Sequence, residues 1–170
     1  MRLKAPITNK EINALKAGDQ VLLSGTIYTA RDAAHRLFGK KPPFKTKGAI
    51  LYYASPTPTK PGAVIGSIGP TTSTRMDAFT PNLLKAGVKI TIGKGKRGKE
   101  VIAAMKKYKA VYLVVPGGAA ALLSKHVKSA KVIAYPDLMS EAVLELEVLD
   151  FPAIVAIDAK GRNLFEKSKI

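Results

Sequence analysis

Between Gly69-Pro70 and Met76 the chain reads Thr71, Thr72, Ser73, Thr74, Arg75. Four hydroxyls and a guanidinium stand within one turn of chain, at the start of a helix expected from Thr74. Such a group suits an anion, and a carboxylate best. A guanidinium meets a carboxylate through two parallel N–H bonds, a geometry that lysine cannot copy. The dipole of a helix opposes positive charge in its first turn, so Arg75 there reads as held for a ligand; the alternative is an ordinary surface arginine. One of the four hydroxyls serves as N-cap, which leaves three to be explained.

Three further loops share the arrangement of a strand end feeding a helix. "TIYTARD" carries Arg31, "GKGKRGKE" carries Lys94 with Lys96 and Arg97 nearby, and "VPGGAAA" carries Gly117 and Gly118. The free amides of a helix N-terminus, with the positive end of its dipole, make an anion site. Each loop also has a plainer reading. Arg31 can pair locally with Asp32, and the lysine run can be solvated or touch phosphate without specificity. The two glycines can serve close packing, with their amides a second-rank anion site. His35 and His126 fall on expected helices, in structural or surface roles.

The elements that must position these loops alternate. A strand is expected over Val21–Tyr28, followed by a helix that "TARD" opens as a capping box, with Thr29 accepting from the amide of Asp32, and that Gly39 ends. A buried strand over 49–53, a Pro-stiffened excursion and a short strand over 63–68 come next. A helix is expected from Thr74 to Gly87, kinked or shortened by Pro81. "VKITIGKGK" reads as strand and loop. "KEVIAAMKKY" is an amphipathic helix with Val101, Ile102 and Met105 on one face. "AVYLVV" is a fully apolar strand leading to another helix, and "KVIAY" is a further strand. "EAVLELEVLDFP" alternates as a half-exposed strand, and "AIVAIDAKGRNLF" as a hairpin turning at 159–161. The pattern is mixed α/β, with βα units in the middle and antiparallel pairing toward the C-terminus. The glycine fingerprint of a Rossmann sheet is missing.

Composition narrows the chemistry. There is no cysteine and there are only two histidines. Disulfides, thiol nucleophiles and thiolate-held metals are thereby excluded from this chain, and any metal centre would come from another. Lys and Arg number 28 against 12 Asp and Glu, a net charge of +16, which attracts anions: nucleic acid, an acidic partner or small anionic substrates. Hydrophobic residues at 46% exclude disorder. No apolar run is long enough for a membrane span, and "MRLKAPITNKEINAL" has no signal-peptide core. A cytoplasmic protein of one domain, residues 1–170, is expected.

Taken in order, "LSGTIYTARDAAH", "YYASPTPTKPGAVIGSIGPTTSTRMD", "GKGKR", "VVPGGAAALLS" and "EVLDFPAIVAIDAKGRNLF" closely resemble the small (β) subunit of the two-subunit, oxygen-sensitive class I fumarases and the related L-tartrate dehydratase β subunit. The resemblance runs from Gly18 to Phe165. It implies a hydro-lyase of the tricarboxylic acid cycle with a mixed-sheet, swivelling β/β/α fold. It also implies a large (α) subunit carrying a 4Fe-4S cluster whose unique iron binds substrate, an α2β2 heterotetramer and a small dicarboxylate substrate. No metal ligand falls on this chain.

Carried over by motif, Arg31 and Arg75 contact substrate carboxylates. Thr71 lies at the substrate as a candidate participant in proton abstraction. Lys94 is a further carboxylate or electrostatic contact, with Lys96 the fallback because the loop differs by one residue in spacing. Ser55 stands where the family usually has Gly. "LDFPAIV" is nearer the fumarase form, so fumarate and L-malate are the expected pair and L-tartrate to oxaloacetate the alternative. A basic nucleic-acid-binding domain is the alternative of another class. Aromatic residues at 6%, and no basic stripe interleaved with them, weigh against it, so no nucleic acid and no membrane are expected as partners.

Overall fold

The computed structural model describes residues 1–39, 41–116 and 118–166. Strands are β1 (Arg2–Lys4), β2 (Gln20–Thr29), β3 (Ile50–Tyr52), β4 (Ala54–Pro56), β5 (Ile68–Pro70), β6 (Ile90–Gly93), β7 (Val111–Val114), β8 (Val127–Ala134) and β9 (Val143–Ile157). Helices are α1 (Asn9–Ala14), α2 (Asp32–Leu37), α3 (Thr80–Ala86), α4 (Lys99–Tyr108) and α5 (Ala120–Ser124). Two 3-10 segments, Ser73–Met76 and Pro136–Glu141, complete the described elements.

β2, β3, β6 and β7 run parallel, as βα units require. β9 then pairs antiparallel with both β7 and β2, so the five strands close on themselves as a barrel. β1 extends it along β2, and β8 along β9. The fold is mixed α/β, as the order of elements predicts.

Side-chain alternation decides which core each residue joins, because neighbours on a strand face opposite sides. Ile50 and Tyr52, Ile90 and Ile92, Val111 and Leu113 belong to one buried cluster with Phe151 and Val155. Leu51 and Tyr53 join a second cluster with Tyr112, Met76, Leu84, Val101 and Met105. The second is the layer where α3 and α4 cover the barrel. Strands apolar on both faces therefore follow directly from being covered on both.

β9 is a single strand of 15 residues where the sequence suggests a strand and a separate hairpin. It bends at Asp150, whose φ is +52°, opposite a register shift between Leu23 and Gly25 of β2. The bulge lets one half of β9 pair with β8 and the other with β7. The hairpin shrinks to a turn with one bridge, Ile157 to Asn163.

Other expectations shift. Thr29 does not cap α2: it ends β2, its hydroxyl accepts from the amide of Leu144, and the N-cap position is Arg31 with no capping side chain. The helix expected from Thr74 breaks into the 3-10 turn and α3, with Pro81 in the first turn of α3 where its missing N–H costs nothing. Gly87 ends α3 in a left-handed conformation, φ +115°. The strand expected over 63–68 lies at Ile68–Pro70, antiparallel to β4. Between them Thr57 and Ser67 bond reciprocally, the amide of each donating to the other residue.

Candidate functional site

Because β2, β3, β6 and β7 are parallel, their carboxyl ends open on one end of the barrel. In open α/β sheets such ends are where ligands sit. Arg31 stands just after β2, Ser55 in β4 just after β3, Thr71 after β5, Lys94 after β6 and Gly118 after β7.

Main-chain bonds lace these loops together. The amide of Thr71 donates to Tyr53 (2.7 Å), that of Ser73 to the Lys94 carbonyl (3.0 Å), and that of Lys94 to Thr71 (3.4 Å). Thr72 and Lys94 form a parallel bridge. Thr71 and Lys94, far apart in sequence, are thus neighbours. Lys96 lies one step further out, exposed.

Arg75 reaches across to α2. Its Nε and Nη2 donate to Oδ2 of Asp32 at 3.1 and 2.5 Å. The Arg31–Asp32 pair suggested by adjacency does not form. Arg31 donates instead from Nη1 to Ser55 Oγ (2.8 Å), and its Nε lies 3.5 Å from Glu141. Each guanidinium has five N–H groups, so both keep donors for a ligand while a protein partner orients them. Burial pulls the Asp32 carboxyl upward, but its own amide, the Arg75 hydrogen bond and the charges of Arg75 and Arg31 hold it below the usual carboxylate range.

No helix dipole opposes the charge of Arg75, contrary to expectation. Arg75 lies in the last turn of a four-residue 3-10 segment, where a dipole is weak and does not oppose a cation. The hydroxyls also divide differently. Thr72 takes the N-cap position without a capping bond, Ser73 is buried, and Thr72 and Thr74 are exposed. In the fourth loop Gly117 lies outside the described residues. Gly118 adopts φ +80°, but α5 has only five residues and gives little field. A Cβ on Gly118 would meet nothing within 4 Å, whereas α5 itself packs closely on β5, where a Cβ on Gly69 would stand 3.0 Å from the Ala120 methyl.

Arg97, expected in a solvated lysine run, is buried. It is not a surface cation of the lysine loop. Its guanidinium is fully buried and donates to Asp77 Oδ1 (2.7 Å), Thr80 Oγ1 (2.7 Å), Thr91 Oγ1 (3.2 Å) and Tyr53 Oη (3.4 Å). Its carbon lies 5.3 and 4.9 Å from the ring centres of Tyr53 and Tyr112, within cation–π range. Asp77 also accepts the amide of Gly98, the N-cap of α4. Alternation offered a signal for this network. Tyr53, Thr91 and Tyr112 sit on the helix-covered side of three adjacent strands, where a hydroxyl must find a partner.

His35 is buried on α2 beside Phe38, Tyr53 and Phe79. Burial drives its pKa down to about 4, so it is neutral. Its Nδ1 lies 2.7 Å from the Arg31 carbonyl and donates to it, which leaves Nε2 as a buried acceptor without a partner. Among the described residues no group of three His, Cys, Asp or Glu side chains could hold a metal, and no helix is long and apolar enough to cross a membrane.

The architecture is a mixed α/β barrel presenting cations and a hydroxyl at its strand ends, groups whose chemistry suits a small anion. Residues 1–168 match the family model described as Fumarase C-terminus, and the chain belongs to that family of hydro-lyases. It is 41% identical over 173 residues to a protein of Methanocaldococcus jannaschii provisionally named L(+)-tartrate dehydratase subunit beta, covering 95% of this chain and 89% of that one. It is 39% identical over 177 residues to fumarate hydratase 2 of Leishmania major, covering 98% of this chain but 31% of that protein. With the L(+)-tartrate dehydratase subunit beta of Escherichia coli it shares 34% over 175 residues, 98% of this chain and 87% of that one. The chain thus spans about a third of the fumarate hydratase and nearly all of the β subunits.

Proposed function

We propose that this chain is the β subunit of a two-subunit hydro-lyase that interconverts fumarate and L-malate, and that it supplies the groups gripping the substrate carboxylates. The observation that supports the reading is that the loops bearing Arg31, Thr71, Arg75 and Lys94 share one end of the barrel, in a chain of this family. Removing a proton from the carbon beside a carboxylate builds negative charge on that carboxylate. Preorganised cations stabilise such charge without reorganising in the reaction. Arg31 and Arg75 bind the carboxylates through donors that Ser55, Glu141 and Asp32 leave free, and Lys94 adds a point charge beside the Thr71 loop. The Thr71 hydroxyl is too weak a base to act alone and passes the proton to a base on the partner.

The absence of cysteine means that this chain has no thiolate donors for an iron–sulfur cluster. In this reading the 4Fe-4S centre belongs to the large α subunit, and this chain contributes charge and position. The same reading makes the protein one cytoplasmic domain that swivels against the α subunit in an α2β2 assembly serving the tricarboxylic acid cycle. A second substrate is favoured by one observation: the relatives matched along nearly their whole length bear the name of L(+)-tartrate dehydratase β subunit. The test is anaerobic co-expression with the large subunit, followed by turnover assays on L-malate, fumarate and L-tartrate. Fumarate formed from malate is the expected result. Turnover of tartrate alone would move the substrate, and silence from a cluster-bearing complex would overturn the reading.

A further inference from the structure

Behind the open cations lies a second set of polar groups that the proposed chemistry leaves unused. The Tyr112 hydroxyl lies 2.9 Å from Ser73 Oγ and 3.0 Å from the Gly95 carbonyl. A phenol has one proton and a carbonyl can only accept, so Tyr112 donates to Gly95 and accepts from Ser73. Ser73 belongs to the turn that carries Arg75, and Gly95 follows Lys94. One buried oxygen therefore ties the two loops that bear candidate site residues. The seam has no slack. A Cβ on Gly93 would collide with Ser73 Oγ, and across the same gap the Ser73 amide donates to the Lys94 carbonyl and the Lys94 amide to that of Thr71.

We propose that Tyr112 is a positioning residue: through Ser73 and Gly95 its hydroxyl fixes the Thr71–Arg75 loop against the Lys94 loop, and so sets the spacing of the groups that grip a dicarboxylate. The inference rests on the carboxylate-binding reading of those loops. Arg97 supports the arrangement from beneath, its guanidinium against the Tyr112 ring and its Nε bonded to Asp77, which closes the 3-10 turn and accepts the amide of Gly98 at the N-cap of α4. Packing alone does not require the hydroxyl, because phenylalanine would fill the same space. Burial pushes the Tyr112 pKa up to about 12, so the group stays a neutral donor, and Tyr112→Phe removes a link without removing a charge.

The test compares wild type, Tyr112→Phe, Ser73→Ala and the double variant, each assembled with the large subunit. Amide exchange and turnover are read in parallel. In Tyr112→Phe the Ser73 and Lys94 amides should exchange about tenfold faster while those of β9 keep their protection. The kcat/KM should fall about tenfold through misplacement of the binding groups. The double variant should lose no more than the larger single, because both cut one chain of bonds. Should Tyr112→Phe not fold, Ser73→Ala carries the same expectations. Unchanged exchange in both loops overturns the inference, and so does a rise spread evenly over β9, which would make Tyr112 an ordinary packing residue. A wild-type complex that turns over none of the three acids defeats the hydro-lyase reading, yet the exchange arm still decides whether the hydroxyl joins the loops.

Discussion

Arg97 and Arg75 carry the same guanidinium on neighbouring loops, and the surroundings give them opposite work. Arg97 is enclosed, four of its five donors are taken by Asp77, Thr80, Thr91 and Tyr53, and two aromatic rings flank it. Arg75 is half exposed, is held at one edge by Asp32, and keeps its other edge open. Saturation of donors, more than charge or position in sequence, separates an arginine that organises the protein from one that can take a ligand.

That contrast can be broken from either side. The largest effect is expected at Arg97. Replacing it by Met strips the charge partner of Asp77 and empties four hydrogen bonds, and should cost about 3 kcal/mol or more. In a chain of this size that lowers the thermal midpoint by roughly 10 °C, which calorimetry would read. A midpoint within a degree or two of wild type would return Arg97 to the surface class.

The pH arm tests the same buried layer. Below its usual pKa of 6.5 the unfolded chain protonates His35 while the folded chain, with a pKa of about 4, does not. Stability is therefore full above pH 6.5 and falls as pH drops toward 4, by about 3 kcal/mol in all. Urea unfolding at stepped pH should show that slope, and His35→Leu should flatten it.

At the open site the pattern should invert. Arg75→Ala should lose about 10²-fold in kcat/KM, as a charge-assisted bidentate contact disappears. The loss of its ion pair, half exposed on the Arg75 side, should cost about 1 kcal/mol of stability. Equal losses of stability from Arg75→Ala and Arg97→Met would erase the distinction. The smallest effect is expected at Ser55→Gly. It deletes one acceptor from Arg31 and should raise KM about fivefold with kcat little changed.

Much of the scaffold was readable from period and punctuation. Strict alternation marked the first half of β9 as half exposed, unbroken apolar runs marked β3 and β7 as buried, and Gly87 stopped α3. The loops bearing Arg31, Thr71, Arg75 and Lys94 could be named because strand ends before helices expose free amides. Their mutual placement could not, since it depends on parallel pairing of strands distant in the chain. Thr29 misled because a capping-box spacing says nothing of a sheet claiming the residue first. Arg97 misled because a Lys/Gly-rich neighbourhood looks solvated, and only the tertiary fold puts two tyrosines beside it. Asp32 had two arginines within reach, and the sequence favoured the adjacent one.

The closure of the barrel by β9 also bears on how the chain reaches its native state. β2 is made well before its antiparallel partner, which runs from Val143 to Ile157. Contacts of such long sequence separation are slow to find, because the loop entropy is lost before the pairing is gained. On the ribosome β2 and β7 must wait with open edges until that last long strand emerges. In that interval the nascent chain is most exposed to edge-to-edge association, and to capture by chaperones.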